Sequence, residues 1–289
     1  MRTKTSRRGE GALRTTGGKK LRYRTWESPS PRAALIVIHG LAEHSGRYEA
    51  LGRELCESGI SVYALDLRGH GRSDGQRGHA RSFGVLLQDV DRFRREVLGL
   101  VDAGTPLFVL GHSMGGLIAL RYMEEYSDAF AGAIIVSPWL ATAVQVPRWK
   151  ITLANPLAKL APALPFRAGV NPEHLSRDPR VVRAYEEDPL VHDRITPRLF
   201  TELSSAMAQA FVRSDRIRRP LLFLLAGADR IVNTERTLAF ARALTQPNVE
   251  TRVYAGHFHE VLNEPGADTV RHDLRAWLDA RIAEAAAPV

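Results

Sequence analysis

Two patterns of apolar residues alternate along the chain. Ala34–His39, Ile60–Leu65, Leu107–Leu110, Ala133–Val136 and Pro220–Ala226 are short, continuous apolar runs, as expected for strands buried on both faces. Val249–Tyr254 reads as a further strand. Between them lie stretches of helical spacing. Leu51, Leu55 and Cys56 mark one over Tyr48–Ser58, and Phe83, Val85, Leu86, Val90, Phe93, Val97 and Leu98 form the apolar stripe of another over Ser82–Val101. Further helices are predicted from Met114 to about Ser127, over Asn233–Leu244 and over Thr269–Ala283. Strands alternating with helices imply parallel order and right-handed crossovers, hence an α/β sheet covered on both faces. Ahead of this pattern, Ala12–Thr15 and Lys20–Trp26 flank Gly17-Gly18 and read as a β-hairpin.

The alternation breaks between Pro138 and Ser214. Prolines recur there, among them Pro147, Pro156, Pro162, Pro165, Pro172, Pro179, Pro189 and Pro197, with short helical patterns between them. Thr196-Pro197 carries the cap and first-turn signature of a helix running to about Phe211. A stretch of this length is too long for a plain connection and is expected to form a cap over the sheet. The expected organisation is therefore a core from 1–137 and 215–289 with a cap insertion over 138–214. Residues 1–10 are expected to be a flexible basic tail.

Charge sharpens this picture. The 289 residues carry a formal net charge of +8. Residues 1–24 hold nine basic residues and one acid, and the remainder balances at 31 of each sign. The excess is thus a feature of the N-terminal segment and does not describe the fold. Attraction to anionic lipid headgroups is a use for such a segment. Nucleic-acid binding is not expected, because no aromatic residue is interleaved before Tyr23. The one cysteine, Cys56, allows no internal disulfide and suits a cytoplasmic protein. Neither a membrane-spanning run nor a secretory signal is apparent.

Chemistry is concentrated where strands end. Leu107–Leu110 runs into Gly111-His112-Ser113-Met114-Gly115, a G-x-S-x-G pentapeptide with a strand before it and a helix after it. Such a turn lifts the Ser113 hydroxyl out at the sheet edge. A serine needs a base aligned by a third group, here in the order Ser, acid, His. Asp229 follows the strand ending at Ala226, and His257 and His259 follow the strand ending at Tyr254. Spacing alone leaves the two histidines tied as the base. The tetrahedral intermediate needs two backbone N–H donors. Met114, next to the nucleophile, supplies one, and Leu41, in the loop after Ala34–His39, is assigned the other.

Glu43, His44, Arg47 and Tyr48 form a polar cluster beside that loop, read either as loop bracing or, through Glu43 and Arg47, as substrate contacts. His70, His79, His112 and His272 are taken as structural or solvated. No His/Asp/Glu spacing suits a metal, and Gly111–Gly116 lacks the Lys-Ser/Thr of a phosphate loop.

Taken together, His39-Gly40-Leu41-Ala42-Glu43-His44-Ser45-Gly46-Arg47-Tyr48, Arg68-Gly69-His70-Gly71-Arg72-Ser73-Asp74-Gly75 and Gly111-His112-Ser113-Met114-Gly115-Gly116 resemble the monoacylglycerol lipase and lysophospholipase group of α/β hydrolases. Ser137-Pro138, Gly227-Ala228-Asp229-Arg230-Ile231-Val232 and Gly256-x-x-His259-Glu260 extend the resemblance over nearly the whole core. It implies an α/β-hydrolase fold with a mobile cap over an acyl pocket. It also implies a lipid esterase, monomeric or dimeric, that needs no cofactor, and it selects His259 as the base. Dehalogenases and epoxide hydrolases of this fold need an aspartate where Ser113 stands. Aminopeptidases, C–C hydrolases and acyltransferases share the serine triad and stay open. A non-catalytic binding module predicts a broken triad, whereas every position here is filled. The apolar stretch 151–166 of the cap reads either as packing against the sheet or as a lipid-touching lid.

Overall fold

A computed structural model describes residues 7–143 and 148–286. Eight strands form one sheet: β1 (Arg7–Arg14), β2 (Lys20–Glu27), β3 (Ala33–Ile38), β4 (Ile60–Leu65), β5 (Leu107–His112), β6 (Gly132–Val136), β7 (Leu221–Ala226) and β8 (Val249–Tyr254), in the order β1-β2-β4-β3-β5-β6-β7-β8. The hairpin β1–β2 and the pair β2–β4 are antiparallel. All remaining pairs are parallel. Every residue of β3 to β7 is buried, which is why these segments carry no polar alternation.

Helices cover both faces, as the parallel order requires. One apolar core joins the sheet to α2 (Phe83–Leu98) and α3 (Met114–Glu125), and the other joins it to α1 (Glu49–Glu57) and α8 (Ala267–Ala286). Ser82 starts α2 by accepting the Val85 N–H at 3.3 Å, the side-chain cap that its position predicts. Among the described residues, no helix is long and apolar enough to cross a membrane.

One expectation changes. β1 begins at Arg7, so residues 7–10 of the expected tail are paired strand, with Arg7 opposite Glu27 and Glu10 opposite Arg24; residues 1–6 lie outside the described chain. The pattern gave no sign of it because Gly9 and Gly11 have no side chains to alternate. A Cβ on Gly11 would sit 2.1 Å from the Tyr23 ring, so the aromatic covers the bare backbone. Glu10 also takes ion pairs from Arg24 at 3.2 Å and Arg72 at 3.0 Å.

The stretch expected as a cap carries three α-helices among the described residues. Its helices are α4 (Arg148–Leu160), α5 (Pro179–Glu187) and α6 (Pro197–Val212), with α7 (Thr234–Ala243) following in the core. α6 opens on the predicted Thr196 cap, whose hydroxyl accepts the Leu199 N–H at 3.3 Å. It buries Leu199, Leu203, Ala206 and Ala210 in the same core as α3. α4 behaves differently: Leu153 and Leu160 are exposed, the latter by 84%.

Candidate active site

Ser113 sits between β5 and α3 at φ 53°, ψ −116°, a backbone conformation that costs about 1–3 kcal/mol and is held only by its surroundings. Those surroundings are visible. The Ser113 N–H donates to Val136 O at 3.0 Å, and its carbonyl accepts from Leu117 and Trp139 at 3.1 and 2.9 Å. Glycine is required on either side. A Cβ on Gly111 would lie 2.3 Å from Gly115 O, and one on Gly115 would lie 2.0 Å from Ile38 O.

The loop after β3 crosses directly over this turn. A Cβ on Gly40 would come within 3.2 Å of Ser113 Cβ, so Leu41 follows at the side of Ser113. His39 fixes the loop from below. Its Nε2 accepts the Leu67 N–H at 3.0 Å, which leaves Nδ1 to donate to Gly40 O at 2.7 Å. That double role needs the neutral ring, and complete burial lowers the His39 pKa accordingly. Met114 is the first residue of α3, where a helix N–H has no intrahelical acceptor. Among the described residues, neither the Leu41 nor the Met114 N–H donates to another group.

Asp229 and His259 meet across the ends of β7 and β8. His259 Nδ1 lies 2.8 Å from Asp229 Oδ2, and Asp229 Oδ1 accepts the Ile231 and Val232 N–H groups at 2.8 and 2.9 Å. Burial alone raises a carboxyl's pKa. Here the histidine and two amides outweigh it, and Asp229 is held below the usual carboxylate range. The geometry also separates the two histidines: His257 stacks on Tyr254 at 5.5 Å and takes no part in this pair. No hydrogen bond joins Ser113 to His259 in this structure; such bonds are often long in ligand-free enzymes and tighten with substrate.

Glu43 and Arg47, candidates for substrate contact, are engaged internally. Glu43 Oε1 accepts from Gly40 N at 2.6 Å, Tyr48 Oη at 3.1 Å and His112 Nδ1 at 2.9 Å. Arg47 pairs with both carboxylate oxygens of Glu260, Nη2 reaching Oε2 at 2.9 Å, and lies over the Tyr185 ring at 4.8 Å. A cavity of about 10 Å³ beside Glu43, Tyr48, His112, Glu260 and Asn263 has room for a water and not for a glycerol. These contacts favour the bracing role.

Several site neighbours carry no signal in the sequence. His112 packs its ring 4.8 Å from that of His259. Burial disfavours its charge, but hydrogen bonding and attraction to Glu43 prevail, and its pKa is raised. From the insertion, His174 and Leu175 carbonyls accept the N–H groups of His259 and Glu260 at 3.4 and 2.8 Å. Asp188 bonds His44 at 2.8 Å, and the His192 N–H donates to Ala42 O at 3.1 Å. These contacts join residues at least 69 positions apart, and only the fold brings them together.

The profile of the serine aminopeptidase S33 family matches residues 29–266. A monoacylglycerol lipase from Mycolicibacterium smegmatis is 34% identical over 95% of this chain and 98% of its own length. Phospholipase YtpA from Bacillus subtilis is 30% identical over 89% of this chain and 99% of its own. The crystal structure of a monoacylglycerol lipase from Paleococcus ferrophilus superposes with a TM-score of 0.83 at 32% identity, covering 96% of this chain and all of that one. With its eight-stranded sheet and strained Ser113 turn, this chain belongs to the serine aminopeptidase S33 family of α/β hydrolases and is an ester hydrolase.

Proposed function

We propose that the chain hydrolyses monoacylglycerol-type lipid esters to a fatty acid and glycerol, with Ser113, His259 and Asp229 as the triad. The observation that carries this reading is the 2.8 Å bond between His259 and a doubly amide-bound Asp229, beside a strained Ser113. Asp229 holds the imidazole in the tautomer whose Nε2 is free to take a proton. Ser113 Oγ then attacks the ester carbonyl as His259 removes its proton. The Leu41 and Met114 N–H groups receive the oxyanion. The alkoxide leaves with the proton from His259, and a water activated by the same ring releases the fatty acid.

The electrostatics favour an ester over a peptide with a free amino terminus. Recognising an α-ammonium takes an unpaired carboxylate, whereas Glu43 is held by His112 and Glu260 by Arg47. The similarity to a phospholipase supports a second reading, lysophospholipid hydrolysis, by the same machinery.

In this reading the part of the insertion that admits lipid is α4 with the turn up to Phe166. Leu153, Leu160, Leu164 and Phe166 are exposed there, an apolar strip suited to transient contact with a membrane surface. The 171–196 segment, bonded to both catalytic loops, stays with the core. A panel of monoacylglycerols, di- and triacylglycerols, lysophosphatidylcholine and an aminoacyl p-nitroanilide tests the reading. Monoacylglycerol turnover that Ser113→Ala abolishes is expected; preferred cleavage of the anilide would overturn it.

A further inference from the structure

β8 closes one side of the sheet and pairs with β7 alone among the described strands. Thr251, Arg252 and Val253 are exposed, Val253 by 48%. The ladder to β7 fixes which backbone groups remain. Leu221 N donates to Asn248 O at 3.0 Å, and Gly227 N to Tyr254 O at 2.9 Å. With the register running from Leu221↔Val249 to Ala226↔Tyr254, the even-numbered residues 248–254 spend their backbone groups on β7. Val249, Thr251 and Val253 direct theirs outward.

A free edge with outward N–H and C=O groups is a template for another strand, and charges along it usually block pairing. β1, at the other side of the sheet, follows that rule with Arg7, Arg8 and Arg14 against a lone Glu10. β8 does not. Its two charges, Glu250 and Arg252, are of opposite sign and stand symmetrically about Thr251. Two copies related by a two-fold axis meet antiparallel. If the axis passes Thr251, the hydrogen-bonded pairs are Thr251 with Thr251 and Val249 with Val253, the residues whose groups point outward. Between them Glu250 of each copy faces Arg252 of the other, in the closely spaced position where Cα atoms lie ~4.5 Å apart. Moving the axis one residue either way sets Glu250 against Glu250 or Arg252 against Arg252.

We infer that β8 is a homodimerisation edge whose partner is a second copy of this chain, in the register centred on Thr251. About six backbone hydrogen bonds join the strands, and the intrastrand contact of Arg252 with Glu250 at 3.6 Å gives way to two interchain pairs. Strand direction reverses across the axis, so the two Ser113 sites open on opposite sides of the continuous sheet and work independently. The dimer does not rest on the proposed substrate.

Sedimentation equilibrium between about 1 and 100 µM, where small interfaces dissociate, tests it. Wild type is expected to dimerise. Glu250→Arg and Arg252→Glu, each alone, place like charges opposite one another twice and are expected to weaken the dimer by about tenfold or more. The double exchange is expected to restore it. Thr251→Pro, which removes the central outward N–H, is expected to give monomer. Short-chain ester hydrolysis should be unchanged in the charge variants, which shows that they fold. A wild-type monomer throughout the range, a dimer indifferent to both single reversals, or a double exchange as weak as the singles would each overturn the inference.

Discussion

Glu260, the residue after the candidate base, donates its backbone N–H to Leu175 of the insertion at 2.8 Å. Two residues on, the Arg177 N–H and Nε both reach Glu264 at 2.5 Å, and Glu264 is buried. The loop carrying His259 is therefore clamped to a segment outside the core. Glu264→Gln weakens that clamp without touching the triad. Because small misplacements of a catalytic group are costly, kcat is expected to fall by about 10- to 100-fold with KM little changed. A variant in which KM rises and kcat stays would show that the segment binds substrate instead.

The triad assignment makes a graded prediction. Asp229→Asn leaves the geometry but removes the charge that sets the tautomer, and Ser113→Ala removes the nucleophile. Each should reduce kcat by roughly 10⁴ or more. His257→Ala, which removes a ring stacked on Tyr254 and outside the Asp229 pair, should remain within a few-fold of wild type. A fluorophosphonate probe should label wild type at Ser113 and leave Ser113→Ala unlabelled.

Strand positions inside the core were legible because a parallel sheet demands buried, continuous runs: Ile60–Leu65 matches the strand found. The turn at Ser113 was legible because steric need forces glycine at 111 and 115. β1 was read too short, since glycines covered by Tyr23 leave no pattern. Glu43 and Arg47 could not be resolved between bracing and binding. Their partners, His112 and Glu260, lie 69 and 213 positions away, and no local spacing encodes that distance.

The Glu43–His112 pair carries a pH signature. Glu43, hydrogen-bonded and beside His112 and Arg47, is held well below the carboxylate range despite its burial. The His112 pKa lies above its ordinary 6.5. A raised pKa contributes stability in full below about 6.5 and loses it as pH rises through the folded-state value. Glu43→Gln should therefore flatten the decline of Tm above pH 6.5. It should also destabilise the fold by about 3–5 kcal/mol, the usual cost of breaking a buried pair. Chemical denaturation at several pH values measures both; an unchanged slope would refute the pairing.

Leu153 and Leu160 are exposed apolar residues of α4, whereas Leu157 is half-buried. Replacing Leu153 and Leu160 together by Asp should reduce flotation with liposomes while leaving hydrolysis of a water-soluble ester within about two-fold, since exposed substitutions seldom disturb the fold. Equal flotation of both proteins would leave the strip without a role in lipid contact.

The histidines packed beneath the loop after β3 should make the fold sensitive to acid. The His192 backbone N–H donates to Ala42 O, and the His192 ring lies 4.7 Å from His70, which leans on His39 at 5.2 Å. Burial first, then Arg77 and His39, pushes the His192 pKa down to about 4, with the Gly69 backbone and then Asp193 acting the other way. His70 is likewise held neutral by burial and by its histidine neighbours. Here the folded-state pKa lies below the unfolded value of about 6.5. The unfolded chain then binds protons that the folded one refuses, so stability falls as pH drops from 6.5 towards 4. The nearby His44–Asp188 bond is a separate contact and remains in place in a His192 variant. His192→Phe keeps an aromatic ring against His70 and removes one proton site. Its Tm should fall less steeply than wild type between pH 6.5 and 4, with the two curves converging above pH 7. Parallel acid slopes would assign the sensitivity to another group.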